Sequence, residues 1–166
     1  MTDTQVARAA ARSQIVTHLE SVSSAAFPSG VTLAHVYKHR PIWKSGNRCA
    51  AVFYDGDQVG LGAETKMGTL GNVMVAARVV VSVYWLLVRD SGTLDDVDQE
   101  MWDFDRAFQA VLSADRDLGG TVSALRIEPT RVYPTFENEE LAQGAMYLAL
   151  EIPLLLDELE AEAVAL

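Results

Sequence analysis

Residues 73–89 read VMVAARVVVSVYWLLVR. Their β-branched and aromatic content is the strongest strand signal in the chain. The segment is far longer than the usual strand of about 5–6 residues. It is therefore expected either to bend or to project past the domain as a long β-hairpin arm. Two alternate rows run along it: Val79, Val81, Val83, Trp85 and Leu87, and Val80, Ser82, Tyr84, Leu86 and Val88. Both rows are apolar, whereas a strand of an antiparallel sheet usually keeps one wet face. Such a strand asks for cover on both sides. Helices can supply one side, and another subunit is the natural candidate for the other.

Outward from this strand, the chain divides into segments of clear period. Towards the N-terminus, Arg48–Tyr54 (RCAAVFY) reads as a strand, and Asp55-Gly56 is a turn dipeptide after which a short segment at Gln58–Leu61 can pair back. Val31–Lys38 (VTLAHVYK) reads as a further strand, broken by Arg40-Pro41. Residues 4–24 read as a helix, with Val6, Ala9, Ala10, Ile15, Val16, Leu19 and Val22 at helical spacing. Phe27-Pro28-Ser29-Gly30 ends it.

Towards the C-terminus, Leu94–Ala114 reads as a second helix, with Val97, Met101, Phe104, Phe108, Val111 and Leu112 as its stripe. Asp95, Asp96 and Asp98 in its first turn suit the helix dipole. Leu118-Gly119-Gly120 is a glycine break. Val122–Glu128 is a strand, Pro129 and Pro134 bracket an irregular stretch, and Gly144–Ile152 is a last strand ended by Pro153. Residues 1–153 then form a single α+β domain, and 154–166 an acidic tail of helical tendency. The order is not the βαβα alternation of a parallel sheet. It fits an antiparallel or mixed sheet with two main helices packed on one face.

Charge narrows the classes of function. The chain has 13 basic and 23 acidic residues, a net charge of −10. That balance argues against a sequence-reading nucleic-acid binder and against an anionic membrane surface as partner. Acid concentrates at 90–105 and 137–163, while 38–48 (KHRPIWKSGNR) is basic. Acidic and basic stretches on one chain are either solvated faces or patches that meet between subunits. The N-terminal residues show no apolar core of a secretory signal, and the apolar run at 79–88 falls short of the roughly 20 residues of a membrane span. A protein made and kept in the cytosol is expected.

The chemistry-bearing residues form no recognised constellation. His35 and His39 are four apart but straddle a strand end, and neither has a carboxylate or cysteine at ligand spacing. The glycines at 60–62 and 68–71 match no phosphate-loop pattern. The single cysteine, Cys49, lies in an apolar strand and is expected to be a buried, inert thiol. Asp55, Asp57, Glu64 and the group 95–98 are the carboxylates that an enzyme or small-ligand module would have to converge on a closed pocket. The expectation is no catalytic residue, no cofactor and no metal. Among the large aromatics, Trp85 and Trp102 are expected in the core. Trp43, in the basic loop with Lys44 and Arg48, is the candidate interface anchor.

The stretch 101–128 (MWDFDRAFQAVLSADRDLGGTVSALRIE) resembles the corresponding part of the tail terminator proteins of long-tailed bacteriophages, in which a helix ending in a Leu-Gly-Gly-type turn leads into a strand. The helix at 12–26 with Phe27-Pro28, the strand Cys49–Tyr54 with its Asp-Gly turn, and the very long strand at 73–89 are similar to that family in order and size. The likeness covers most of residues 5–155. It implies a virion protein, assembled in the host cytoplasm, that closes into a ring, usually a hexamer. The ring caps the tail tube, ends its polymerisation and meets the head connector, and DNA passes through without specific binding. The family implies no catalytic residues. Its mobile loop would correspond to 62–72, which adds Lys66, Met67 and Leu70 to the interface candidates Trp43, Lys44 and Arg48. A head-completion or neck protein of the same joint is the nearest alternative, and a small-ligand-binding α+β enzyme the more distant one.

Overall fold

The structure, a computed structural model, describes residues 3–26, 36–41, 48–59, 75–88, 94–135 and 145–157. In chain order these are α1 (Asp3–Ala26), β1 (Val36–Tyr37), β2 (Arg48–Val59), β3 (Val75–Val88), α2 (Leu94–Ala114), β4 (Ala124–Ile127), β5 (Arg131–Thr135) and β6 (Ala145–Asp157). The six strands make one mixed sheet in the order β1-β2-β3-β6-β4, with β5 also paired to β6. β1 runs parallel to β2 and the remaining pairs are antiparallel. The fold is α+β.

The long apolar segment is the sheet's central strand. β3 pairs with β2 from Arg48↔Trp85 to Val59↔Val75, and with β6 from Ala76↔Asp157 to Val88↔Ala145. It neither bends away nor projects as a free arm. The long hairpin it makes with β2 is embedded, because β6 covers its other edge.

The core follows from the register. Ala50 lies opposite Val83, and Val83 opposite Leu150; Val52 lies opposite Val81, and Val81 opposite Ile152. This row joins Ala11, Ile15, Leu19 and Val22 of α1 and Met101, Phe104, Phe108 and Leu112 of α2 in one buried cluster. Both helices present the i, i+4 and i, i+3 stripes that such a cluster needs. Trp85 meets Phe104 edge-on at 6.0 Å between centroids, and Phe104 stacks on Phe108 at 5.7 Å.

The opposite row forms a second cluster of Cys49, Ala51, Phe53, Val80, Tyr84, Tyr147 and Ala149, with Tyr37, Leu86 and Tyr133 packed against it. These cluster members are buried within one chain, Cys49, Ala51 and Ala149 completely. The two-faced apolar strand therefore needs no second subunit on this side, contrary to the sequence expectation. The reason is local: aromatic side chains of β5, β6 and the β1 edge fold over small residues on β2 and β6.

Four further expectations are corrected. Asp55-Gly56 is not a hairpin turn. β2 runs through it, with a register shift between Tyr54 and Asp57 and a Gly56 φ of 95°. Two residues bulge out of the ladder, and glycine supplies the left-handed conformation that a bulge needs. The stretch between Pro129 and Pro134 is not irregular, for Arg131–Thr135 is strand β5. It tolerates Pro134 because only one of its edges is paired.

Pro153 does not end the last strand. β6 crosses it, so Leu154, Leu155 and Leu156 are buried strand residues and not an acidic helical tail. Residues 158–166 lie outside the described residues. The Pro153 carbonyl accepts from Glu128 N–H at 2.9 Å, which aims that edge of the residue at the gap between β5 and β4. The missing proline N–H thus falls at the end of β4, where the β6 ladder passes from one partner to the next, and the loss is confined to the one reciprocal bond to Glu128. Finally, Trp102 is not in the core but 63% exposed.

Candidate functional site

Of the six interface candidates, Arg48 is described; Trp43, Lys44, Lys66, Met67 and Leu70 lie outside the described residues. Arg48 starts β2 directly opposite Trp85 on β3. Its guanidinium donates to the Glu100 carboxylate of α2, through Nε at 3.1 Å and Nη2 at 2.6 Å. Trp85 Nε1 donates to the same carboxylate at 3.2 Å. The Arg48 and Glu100 side chains are 12% and 23% exposed. A planar guanidinium in two-point contact with a shielded carboxylate is the strong form of an ion pair. The triad pins the first half of α2 to the β2–β3 pair and engages Arg48 within its own chain.

The second face of the sheet carries a polar strip. Ser82, fully buried, lies between Ala51 of β2 and Glu151 of β6. Tyr133 of β5 donates its hydroxyl to Glu151 Oε2 at 2.8 Å. Burial, then the hydrogen bond to the Glu151 carboxylate and its charge, push the Tyr133 phenol up to about 12, while Arg40 opposes the shift. Tyr133 thus stays neutral throughout the physiological range. The Arg40 guanidinium sits 5.0 Å from the Phe53 ring centre.

A third polar contact closes the end of α2. His18 of α1 meets Asp115 Oδ2 at 2.6 Å, and Gly119 N–H donates to Asp115 Oδ1 at 2.9 Å. The Gly119 amide, then His18, hold the Asp115 carboxyl below the usual carboxylate range. Leu118, Gly119 and Gly120 follow with φ of 48°, 67° and 80°, a left-handed run that drops the buried Leu118 into the core. The glycine break read from sequence is this turn.

Of the residues proposed for chemistry, the side chains of Cys49, His39, Asp55 and Asp98 are described. Cys49 is a buried cysteine on β2 and belongs to no disulfide. His39 is exposed beside Tyr37, and His35 lies outside the described residues. Asp55, 45% exposed at its side chain, faces Arg78 Nε at 3.7 Å, and Arg78 also approaches Glu128 at 3.6 Å. The side chain of Asp57, and Glu64 as a whole, lie outside the described residues. Among the described residues no group of three His, Cys, Asp or Glu side chains is placed to hold a metal. No described helix is long and apolar enough to cross a membrane.

Among the described residues the large exposed hydrophobics are Tyr54, Trp102 and Val132. Tyr54 has the Arg8 guanidinium 5.3 Å from its ring centre. Val132 lies on β5, whose outer edge borders no other described strand. Trp102 was legible in the sequence from its register. The stripe Met101–Phe104–Phe108–Leu112 advances by whole turns, and residue 102 stands about 100° off it. Neither protein-family models nor curated proteins match this chain.

Proposed function

We propose that this chain is a ring-forming structural protein of a phage virion, a tail terminator that caps the tail tube and joins it to the head. The observation that carries the reading is the α2–turn–β4 unit. A 21-residue helix runs into the left-handed Leu118-Gly119-Gly120 turn and out into a strand of the sheet. That is the stretch on which the sequence resembles tail terminators. The central β2–β3 hairpin supports the reading as well. So do the polar contacts of the chain: Arg48 with Glu100 and His18 with Asp115 hold elements together.

Six copies at −10 each carry −60. A ring of that charge lets DNA slide through a lumen without adhering to it. The test is native mass measurement and negative-stain microscopy of the protein, with and without isolated tail tubes. The expected result is a closed ring, formed in solution or on the tube end, and tubes of fixed length when the protein is present during polymerisation. A protein that stays monomeric and leaves tube growth unchanged overturns the proposal. Binding to isolated head portals and not to tubes would move it to the other side of the joint.

A further inference from the structure

Trp102 stands on the surface of α2 in acidic company. Asp98 and Gln99 lie one turn before it, Asp105 and Arg106 one turn after, and Asp103 beside it. Asp98, Gln99, Asp103 and Arg106 are exposed, and Asp105 is half-buried. The Gln99 amide donates to Asp103 Oδ1 and the Gln109 amide to Asp105 Oδ1, both at 2.9 Å, which orders the carboxylates around the indole. Three carboxylates against one guanidinium give this face a negative sign. A tryptophan at its centre is the residue type most enriched among interface anchors.

The same chain carries the complement elsewhere. Lys38, His39 and Arg40 are consecutive and exposed, directly after β1 at one edge of the sheet. The His39 ring packs edge-on to Tyr37 at 6.2 Å, so the patch is both cationic and aromatic. A lysine or arginine can stack on an indole face while carboxylates beside it pair with its neighbours.

We infer that the Trp102 face of α2 is the docking surface for the segment 38–40 of a second copy of this chain. The inference takes its second copy from the ring reading above and adds the surfaces. The two patches lie on different elements, so the contact is head-to-tail. Head-to-tail contacts generate rings when the rotation closes. Trp102 is the anchor, and Asp98, Asp103 and Asp105 face the cations.

The test is charge reversal read by sedimentation velocity. One variant carries Asp98→Lys with Asp103→Lys, and a second carries Lys38→Glu with His39→Glu. These residues are exposed, so both variants should keep the wild-type circular dichroism and thermal midpoint. Each variant alone is expected to be monomeric where the wild type assembles, because like charges now meet. A 1:1 mixture is expected to assemble again, since every reversed face then meets a reversed segment or an intact pair. Trp102→Ala should weaken assembly about 30-fold, the loss of one anchor of about 2 kcal/mol. Wild-type assembly should also weaken as salt rises. If both variants assemble like the wild type, or the mixture stays monomeric, this surface is wrong and the ring reading stands unaffected. If the wild type is monomeric at every concentration and on tail tubes, both fall.

Discussion

Glu100→Ala is expected to be among the most damaging polar substitutions in this protein. Glu100 receives hydrogen bonds from two nitrogens of the Arg48 guanidinium and one from Trp85 Nε1. Removing the carboxylate takes the compensating charge from a guanidinium that is 12% exposed. Breaking one side of a buried pair costs about 3–5 kcal/mol. The Glu100 side chain is 23% exposed, so some solvent reaches the pair and the lower figure, about 3 kcal/mol, applies. For a chain of this size that is a fall in thermal midpoint of roughly 6–12 °C. The assay is urea unfolding followed by far-UV circular dichroism at pH 7. The decisive comparison is the double variant Arg48→Met with Glu100→Leu. It removes both charges and keeps the volume but takes this acceptor from the buried Trp85 indole N–H, so it is expected to cost about 1 kcal/mol, against about 3 for the single variant. If Glu100→Ala costs less than about 1 kcal/mol, the pair behaves as a solvated surface contact and the pinning role assigned to it is wrong. If the double variant costs as much as the single one, the loss comes from packing and not from an uncompensated charge.

Three other outcomes follow from the same structure. The Tyr133 phenol ionises at about 12 in the folded chain and near 10 when unfolded. Its contribution is therefore complete below pH 10 and lost as pH rises from 10 to 12, and Tyr133→Phe should flatten that alkaline loss in urea melts. Asp115 is shifted the other way, so its contribution is present above the ordinary carboxylate range and lost as pH falls through it; Asp115→Asn should remove that acid-limb slope. Ending the chain after Pro153 removes Leu154, Leu155 and Leu156, all buried. At about 2–5 kcal/mol for each buried leucine, the loss matches a whole domain's stability of 5–15 kcal/mol. The truncated chain should then show no cooperative melt.

Segments with one strong period were legible in the sequence. The α2 limits came out as 94–114, because Met101, Phe104, Phe108 and Leu112 repeat at helical spacing over the whole helix. The strand character of 75–88 was equally plain. Local chemistry misled where a tertiary partner overrode it. Asp55-Gly56 has the composition of a turn, yet β3 continues past it and holds both flanks in the ladder, leaving the dipeptide as a bulge. Pro153 has the composition of a strand end, yet its missing donor falls in a gap that only the positions of β4 and β5 define. Arg131–Thr135 has no alternation to announce a strand, and it exists because β6 offers it an edge. The Arg48–Glu100–Trp85 triad joins residues far apart in sequence, so no spacing rule announces it.

The second sheet face changes where an assembly contact must be sought. Two apolar rows on one strand suggested that a neighbouring subunit covers one of them. The row of Cys49, Ala51, Val80, Tyr84 and Ala149 is instead sealed within the chain. Opening it to a partner would expose that cluster at about 25 cal/mol per Å² of apolar surface, before any new contact formed. A ring made from this protein must therefore use surfaces that are already bare. Of the described large hydrophobics those are Tyr54, Trp102 and Val132. Tyr54 already has the Arg8 guanidinium against its ring. Val132 is an isolated apolar side chain of the kind ordinary surfaces carry. Trp102 alone of the three combines the largest apolar area with ordered charges of one sign and a segment of opposite sign in the same chain. Contact energy concentrates at such anchors, so Trp102→Ala should affect assembly far more than Tyr54→Ala or Val132→Ala. A reversed ranking in side-by-side sedimentation would place the interface on the sheet edge instead.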